Sequence, residues 1–177
     1  MNKFFISIFI LCLIFNNANA EIYKSKDKFN EDIIIINNSI NITGFDYVRF
    51  GKIIEKNGKV SYNLYFVKET YGRYAKWWFF SNKQTPEIKI ETLNETTIYN
   101  LDYFHTDSQI KSGFPKPSNY LKTSLLIVIP PKIINILAGN IKQVTIRIYF
   151  SQYPSVIWQV PDKILKEWKQ IIEMKGE

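Results

Sequence analysis

The chain has one cysteine, Cys12, and one histidine, His105, and both scarcities exclude chemistry. A lone cysteine closes no intrachain disulfide, and one histidine cannot build a zinc finger or a His-rich metal centre. A Ser-His-Asp triad would have to use His105. Asp107 and Ser108 follow it closely, but triad members converge in space rather than along the chain, and no G-x-S-x-G elbow occurs. His105 therefore reads as a polar residue at a strand end. The seven glycines are scattered and form neither a G-x-G-x-x-G fingerprint nor a P-loop. No metal and no cofactor is expected. Long apolar runs are also missing: Leu125 to Leu137 is interrupted by Pro130, Pro131 and Lys132, well short of the ~20 apolar residues a spanning helix needs. No run of five like charges occurs.

The N-terminus is a different case. MNKFFISIFILCLIFNNANA places Lys3 before an apolar stretch, Phe4 to Phe15, broken only by Ser7. Ala18-Asn19-Ala20 then sets small residues at the −3 and −1 positions of a cut. This is the three-part pattern of a secretory signal peptide, with cleavage expected after Ala20. Cys12 lies inside the apolar run and so does not read as a lipoprotein cysteine. The expected product is a cysteine-free mature chain, residues 21–177, exported to the periplasm or secreted. It reads as a single β-rich domain, long enough to bury a sizeable core without disulfides.

The charge balance points towards anions. Lys plus Arg is 23 against 16 acids, and losing Lys3 leaves 22 against 16. A basic protein attracts lipid headgroups, acidic glycans or nucleic acid, and export removes nucleic acid from the expected partners. The cations are spread along the chain, as on an ordinary solvated surface. Asn37, Asn41 and Asn94 begin N-x-S/T sequons, which chance supplies in so asparagine-rich a chain.

Period-two alternation dominates the rest. After a polar start, Ile33 to Ile36 suits a buried strand. A second extended piece runs over 45–55, with Gly51 as a bulge or kink. Asn57-Gly58 is a hairpin signal, and Tyr62, Leu64 and Phe66 beyond it share one face with Val60. Two further strands are read in EIKIETL and TTIYNLDYFH, turning near Leu93-Asn94-Glu95. The stretch 106–119, with Gly113, Pro115 and Pro117, reads as a long connection, a type that is more often functional than short ones. Leu121, Thr123, Leu125, Ile127 and Ile129 alternate in the strand after it, as do Val144, Ile146, Ile148 and Phe150 later. Between them, Pro131 and Gly139 bracket a short helix. At the C-terminus Ile164, Leu165, Trp168, Ile171 and Ile172 form the apolar stripe of a helix over 162–175.

YGRYAKWWFF, residues 71–80, is the one segment with a distinctive surface chemistry. Both faces of its Trp-Phe end are apolar, which fits an inner strand of a two-layer β structure. The competing reading is an exposed stacking platform. On that reading the candidate ligand-binding residues are Arg73, Tyr74, Lys76, Trp77 and Trp78, facing Lys116 and Tyr120 across the 106–119 stretch. No residue is singled out as catalytic. A carboxylate pair for glycan hydrolysis would have to come from Asp46, Glu55, Glu69, Glu91, Asp102 and Asp107.

The export signal, NGKVSY, WWFF, VTIRIYF and the closing VPDKILKEWKQII together resemble small exported bacterial proteins of unknown function. In those a β-rich domain ends in a helix with a Leu-x-Glu-Trp-Lys pattern, here Leu165 to Lys169. The resemblance implies export and fold and carries over no site residue. The expectation is an antiparallel β-sandwich or partly closed barrel with one short helix and a C-terminal amphipathic helix. Its expected role is non-enzymatic, binding a macromolecule or an anionic envelope component. The alternatives are a carboxylate-based hydrolase of an envelope glycan, and an assembly factor that pairs with a protein partner through a sheet edge.

Overall fold

The computed structural model describes residues 22–37, 39–42, 44–71, 78–112 and 119–176. Among these, eleven strands form two antiparallel sheets, joined by two helices. The large sheet contains β1 (Ile22–Lys26), β2 (Ile33–Asn37), β3 (Ser39–Ile42), β4 (Phe45–Ile54), β5 (Val60–Tyr71), β8 (Phe104–Ser112) and β9 (Asn119–Val128). Its order is β1-β2-β4-β5-β9-β8, with β3 also on β4. The small sheet runs β11-β10-β6-β7, from β6 (Glu87–Thr92), β7 (Thr96–Asn100), β10 (Ile141–Ile148) and β11 (Val156–Gln159). Helix α1 is Pro131–Ala138 and helix α2 is Asp162–Glu173. The expected β-sandwich with a short and a C-terminal helix is the observed fold. No described helix is long and apolar enough to cross a membrane.

The alternation read from the sequence is the alternation of burial. Leu64, Phe66, Leu121, Thr123, Leu125, Ile127 and Ile129 are buried from the large sheet, and Val144, Ile146, Ile148 and Phe150 from the small sheet or just beyond it. One apolar core joins both sheets and both helices. Aromatic rings bridge the layers. Phe45 packs on Phe66 of its own sheet and on Phe80 and Phe150 across the core. Trp158 meets Phe66 edge-on. Trp168 of α2 stacks on Phe50 at 4.9 Å and meets Trp158 edge-on. Offset and edge-on pairs of this kind add to the burial energy of the rings.

Helix α2 is held by more than its apolar stripe. Strands β2 and β3 pair with β4 in one continuous register, interrupted opposite Phe50. At the interruption the Asn37 side chain enters the ladder: Phe50 N–H donates to Asn37 Oδ1 at 2.9 Å, and Asn37 Nδ2 donates to Glu167 Oε2 at 2.8 Å. Asn37 is 1% and Glu167 7% exposed. At the far end of the helix, Lys52 Nζ donates to the carbonyls of Ile172 and Met174 at 2.7 and 2.6 Å. These carbonyls have no intrahelical donor, so a buried ammonium is a suitable cap. Burial pulls the Lys52 ammonium below its usual range.

Several sequence expectations need correction. The connection expected over 106–119 is strand for much of its length, since β8 continues to Ser112 and pairs with β9 from Phe104↔Ile127 to Ser112↔Asn119. TTIYNLDYFH is not one strand: β7 ends at Asn100, and the chain crosses to the other sheet before Phe104. Gly51 is no bulge, because the ladders on both sides of it are regular. It is small because a Cβ there would lie 3.1 Å from Ile36 Cγ2. The hairpin after β4 is a wider loop closed by Glu55 and Lys59, and only Gly58 takes positive φ, at 85°. The polar start contains β1, paired with β2 along its whole length. The strand expected over 74–80 survives in the described part only as a bridge, Phe80↔Phe150, flanked by Ser81 N–H to Tyr149 O and Ser151 N–H to Phe79 O. Asn37 is also no glycan acceptor, since its amide nitrogen is buried and bonded to Glu167.

Candidate functional site

Both helices and the small sheet lie on one face of the large sheet. Its other face carries a connected group of aromatic and charged side chains. Strand alternation sets their positions. On β4, Tyr47 and Arg49 share that face; on β5, Ser61, Asn63, Tyr65, Val67, Glu69 and Tyr71; on β9, Tyr120 and Lys122. The registers Arg49↔Tyr65, Tyr47↔Val67, Glu69↔Lys122 and Tyr71↔Tyr120 bring them together across three strands.

Tyr47 is the centre of one half. The Arg49 guanidinium carbon lies 4.8 Å from its ring centroid and Lys122 Nζ lies 5.6 Å away. Tyr65 sits beside it with ring centroids 6.3 Å apart. Val67, between them in register, is fully buried. A cation within about 6 Å of a ring is held by the ring quadrupole, more strongly where water is excluded; Arg49 itself is buried.

Glu69 is the centre of the other half. Its Oε2 accepts from the Tyr71 hydroxyl at 2.8 Å and its Oε1 from the Tyr120 hydroxyl at 3.0 Å. Lys122 Nζ is 3.7 Å from the same Oε1. Lys122 therefore ties the two halves together. Burial, then the hydrogen bond and charge of Glu69, push the Tyr120 phenol well above its ordinary 10. The same causes act in the same direction on Tyr71. Both phenols stay protonated donors to Glu69, leaving their oxygen lone pairs as acceptors. Asp46, beside this cluster, accepts the Glu69 backbone N–H and lies 3.7 Å from Lys68 Nζ.

Further along the same face of β5, the buried oxygens Ser61 Oγ and Asn63 Oδ1 have no hydrogen-bond partner among the described residues. Asn63 is 7% exposed. Buried polar groups are nearly always hydrogen-bonded, so two open ones, two and four residues from Tyr65 on one strand face, mark unused hydrogen-bonding capacity.

The residues singled out in the sequence fall into three groups. Arg73, Tyr74, Lys76, Trp77 and Lys116 lie outside the described residues. Trp78 is half-buried, stacked on Tyr153 at 4.4 Å and edge-on to Phe150 at 5.0 Å, so its ring is engaged at the core margin. Tyr120 is part of the cluster, through Glu69 and through its ring contact with Tyr71 at 4.9 Å. The described ends also meet: β5 stops at Tyr71, directly opposite Tyr120, one residue beyond the Ser112↔Asn119 pair. Sequence reasoning missed Tyr47, Arg49, Tyr65 and Lys122. The signal was present in the polar and aromatic residues alternating with the core positions of β4, β5 and β9. Of the acid pool, Asp46 and Glu69 come together, Glu91 pairs with Lys89, Glu55 closes the hairpin, and Asp102 and Asp107 are exposed. Among the described residues no group of three or more His, Cys, Asp or Glu is placed to hold a metal. No protein-family model matches the chain, and no curated protein does.

Proposed function

We propose that the protein is exported and non-enzymatic, and that the outer face of its large sheet binds an anionic glycan of the cell envelope. The observation that carries this reading is the Tyr47 ring with two cations, Arg49 and Lys122, within about 6 Å and Tyr65 alongside. Aromatic rings offer a flat apolar surface to a sugar ring, and cations beside them attract a carboxylate or phosphate substituent. Binding is favoured over hydrolysis because the acids here are engaged: Glu69 accepts from two phenols and pairs with Lys122, while Asp46 accepts a backbone N–H and pairs with Lys68. The export part rests on the N-terminal pattern ending at Ala20 and on the likeness to small exported proteins.

The test is affinity electrophoresis of the native protein in gels containing a polyuronate or neutral dextran, with anionic-lipid vesicle flotation beside it. Retardation by the polyuronate alone is expected. Lys122→Gln and Tyr47→Ala each break a cation–ring pair in a partly desolvated site and should weaken it roughly tenfold. No retardation, or equal retardation of the variants, sinks the glycan reading; preferential vesicle binding replaces it with a lipid. N-terminal sequencing of the protein from the periplasmic fraction should begin at Glu21.

A further inference from the structure

Among the described residues the two sheets leave several edges open, and all but one are protected. An edge strand presents unpaired N–H and C=O groups, which proteins blunt with charge, proline or shortness. Edge β1 carries Lys24 and Lys26, and edge β8 carries His105 and Asp107. Strands β3 and β11 are four residues long, and β11 lies between Pro154 and Pro161. Strand β7, Thr-Thr-Ile-Tyr-Asn, is the outer strand of the small sheet and has neither charge nor proline.

Its hydrogen-bond phase is fixed by its ends. Thr92 N–H donates to Glu95 O, and Leu101 N–H donates to Pro86 O, both in the β6–β7 register. Bonded pairs alternate with non-bonded ones in an antiparallel ladder. Thr97 and Tyr99 therefore bond to β6, whereas Thr96, Ile98 and Asn100 turn their N–H and C=O groups outward. These three residues are the exposed ones on the strand. Ile98 is 62% exposed. Tyr99 faces the other way, its ring centroid 4.9 Å from Lys132 Nζ of α1.

We propose that two copies of this chain pair through β7, antiparallel about a two-fold axis at Ile98, joining the two small sheets into one. The edge is self-complementary. Ile98 faces Ile98 of the second copy, and Thr96 faces Asn100 in each direction, so three residue pairs exchange two bonds each. No like charges meet. An uncharged strand whose outward groups pair with their own copies about its central residue suits a second copy of the same edge. The pairing uses only the small sheet, so the pair carries two copies of the large sheet's outer face.

Sedimentation velocity on the purified protein over a dilution series tests the association, and a monomer–dimer equilibrium is expected. Ile98→Lys puts two ammonium groups opposite one another and should raise the dissociation constant roughly tenfold or more. The same change breaks no backbone bond to β6 but sets an ammonium opposite Lys89 of its own chain; Ile98→Glu, which faces Lys89 within the chain and a second carboxylate across the axis, should weaken association as much. Ile98→Cys should form an interchain disulfide under mild oxidation, since paired strand residues lie ~5.5 Å apart at Cα, within disulfide reach. Ile157→Cys on the β11 edge, equally accessible at 55% exposure, should not. A monomer at every concentration overturns the proposal. So does a dimer indifferent to Ile98→Lys, or equal crosslinking at Ile98 and Ile157, each of which places the interface elsewhere.

Discussion

Asn37→Ala tests how the C-terminal helix is fastened to the large sheet. The substitution removes two hydrogen bonds at once. Phe50 N–H loses its acceptor in the gap between β2 and β3, and Glu167 loses a donor to its carboxylate. A buried N–H left without an acceptor costs about 1–3 kcal/mol, and a hydrogen bond to a charged group contributes about 1.5–3 kcal/mol. At 1% and 7% exposure, Asn37 and Glu167 are shut off from replacement water. The expected loss is about 3–5 kcal/mol, a large part of the ~5–15 kcal/mol typical of a domain. For a domain of this size that lowers Tm by roughly 10 °C. Urea unfolding followed by tryptophan emission reads it directly, because Trp168 stacks on Phe50 one residue from Glu167. Glu167→Gln keeps an acceptor for the Asn37 amide and should cost only about 1 kcal/mol. A double-mutant cycle of Asn37→Ala with Glu167→Ala should show coupling of about 1 kcal/mol or more. A loss below about 1 kcal/mol for Asn37→Ala, or coupling within about 0.3 kcal/mol of zero, refutes the reasoning.

Two further outcomes follow from the packing and the cluster. The Tyr71 and Tyr120 phenols are raised above the ordinary 10, so the folded chain keeps protons that the unfolded chain has lost. Their contribution to stability is complete below pH 10 and disappears as pH rises through the folded values. The urea midpoint should therefore fall above pH 10, and Tyr120→Phe should flatten that fall; identical profiles for the two proteins would contradict the Glu69 assignment. Trp168→Ala should cost about 3–5 kcal/mol, since the ring is fully buried. Trp78→Ala, at the core margin, should cost less than half of that, and a thermal melt reversing the order would show that the aromatic segment rather than α2 closes the core.

What the sequence made legible was what a period carries. Leu64, Phe66, Leu125 and Ile127 announce a buried face because every second residue is apolar, and Ile164, Leu165, Trp168 and Ile171 announce a helix because the spacing changes to three and four. The errors lie where geometry is set by a partner strand distant in sequence. His105 to Ser112 is too mixed to alternate clearly, yet it forms β8 because β9 offers it a ladder. Gly51 looks like a bulge until Ile36 is seen opposite it, occupying the space of its Cβ. Glu167 lies on the buried side of α2, where a hydropathy stripe predicts nothing charged, and only the break between β2 and β3 supplies the amide that satisfies it.

The candidate site was hidden for a related reason. Tyr47, Arg49, Tyr65, Glu69, Tyr120 and Lys122 are the residues left over once the core positions of β4, β5 and β9 are assigned. Seen one strand at a time they look like ordinary solvated side chains. The strand order β4-β5-β9 converts them into a surface, because residues as far apart in sequence as Glu69 and Lys122 become lateral neighbours at the ~4.8 Å spacing of paired strands. The aromatic run 71–80 drew attention by its density, but density along the chain is a poor guide in a sheet protein. There, alternation sends adjacent side chains to opposite faces, and any surface chemistry has to be collected across strands.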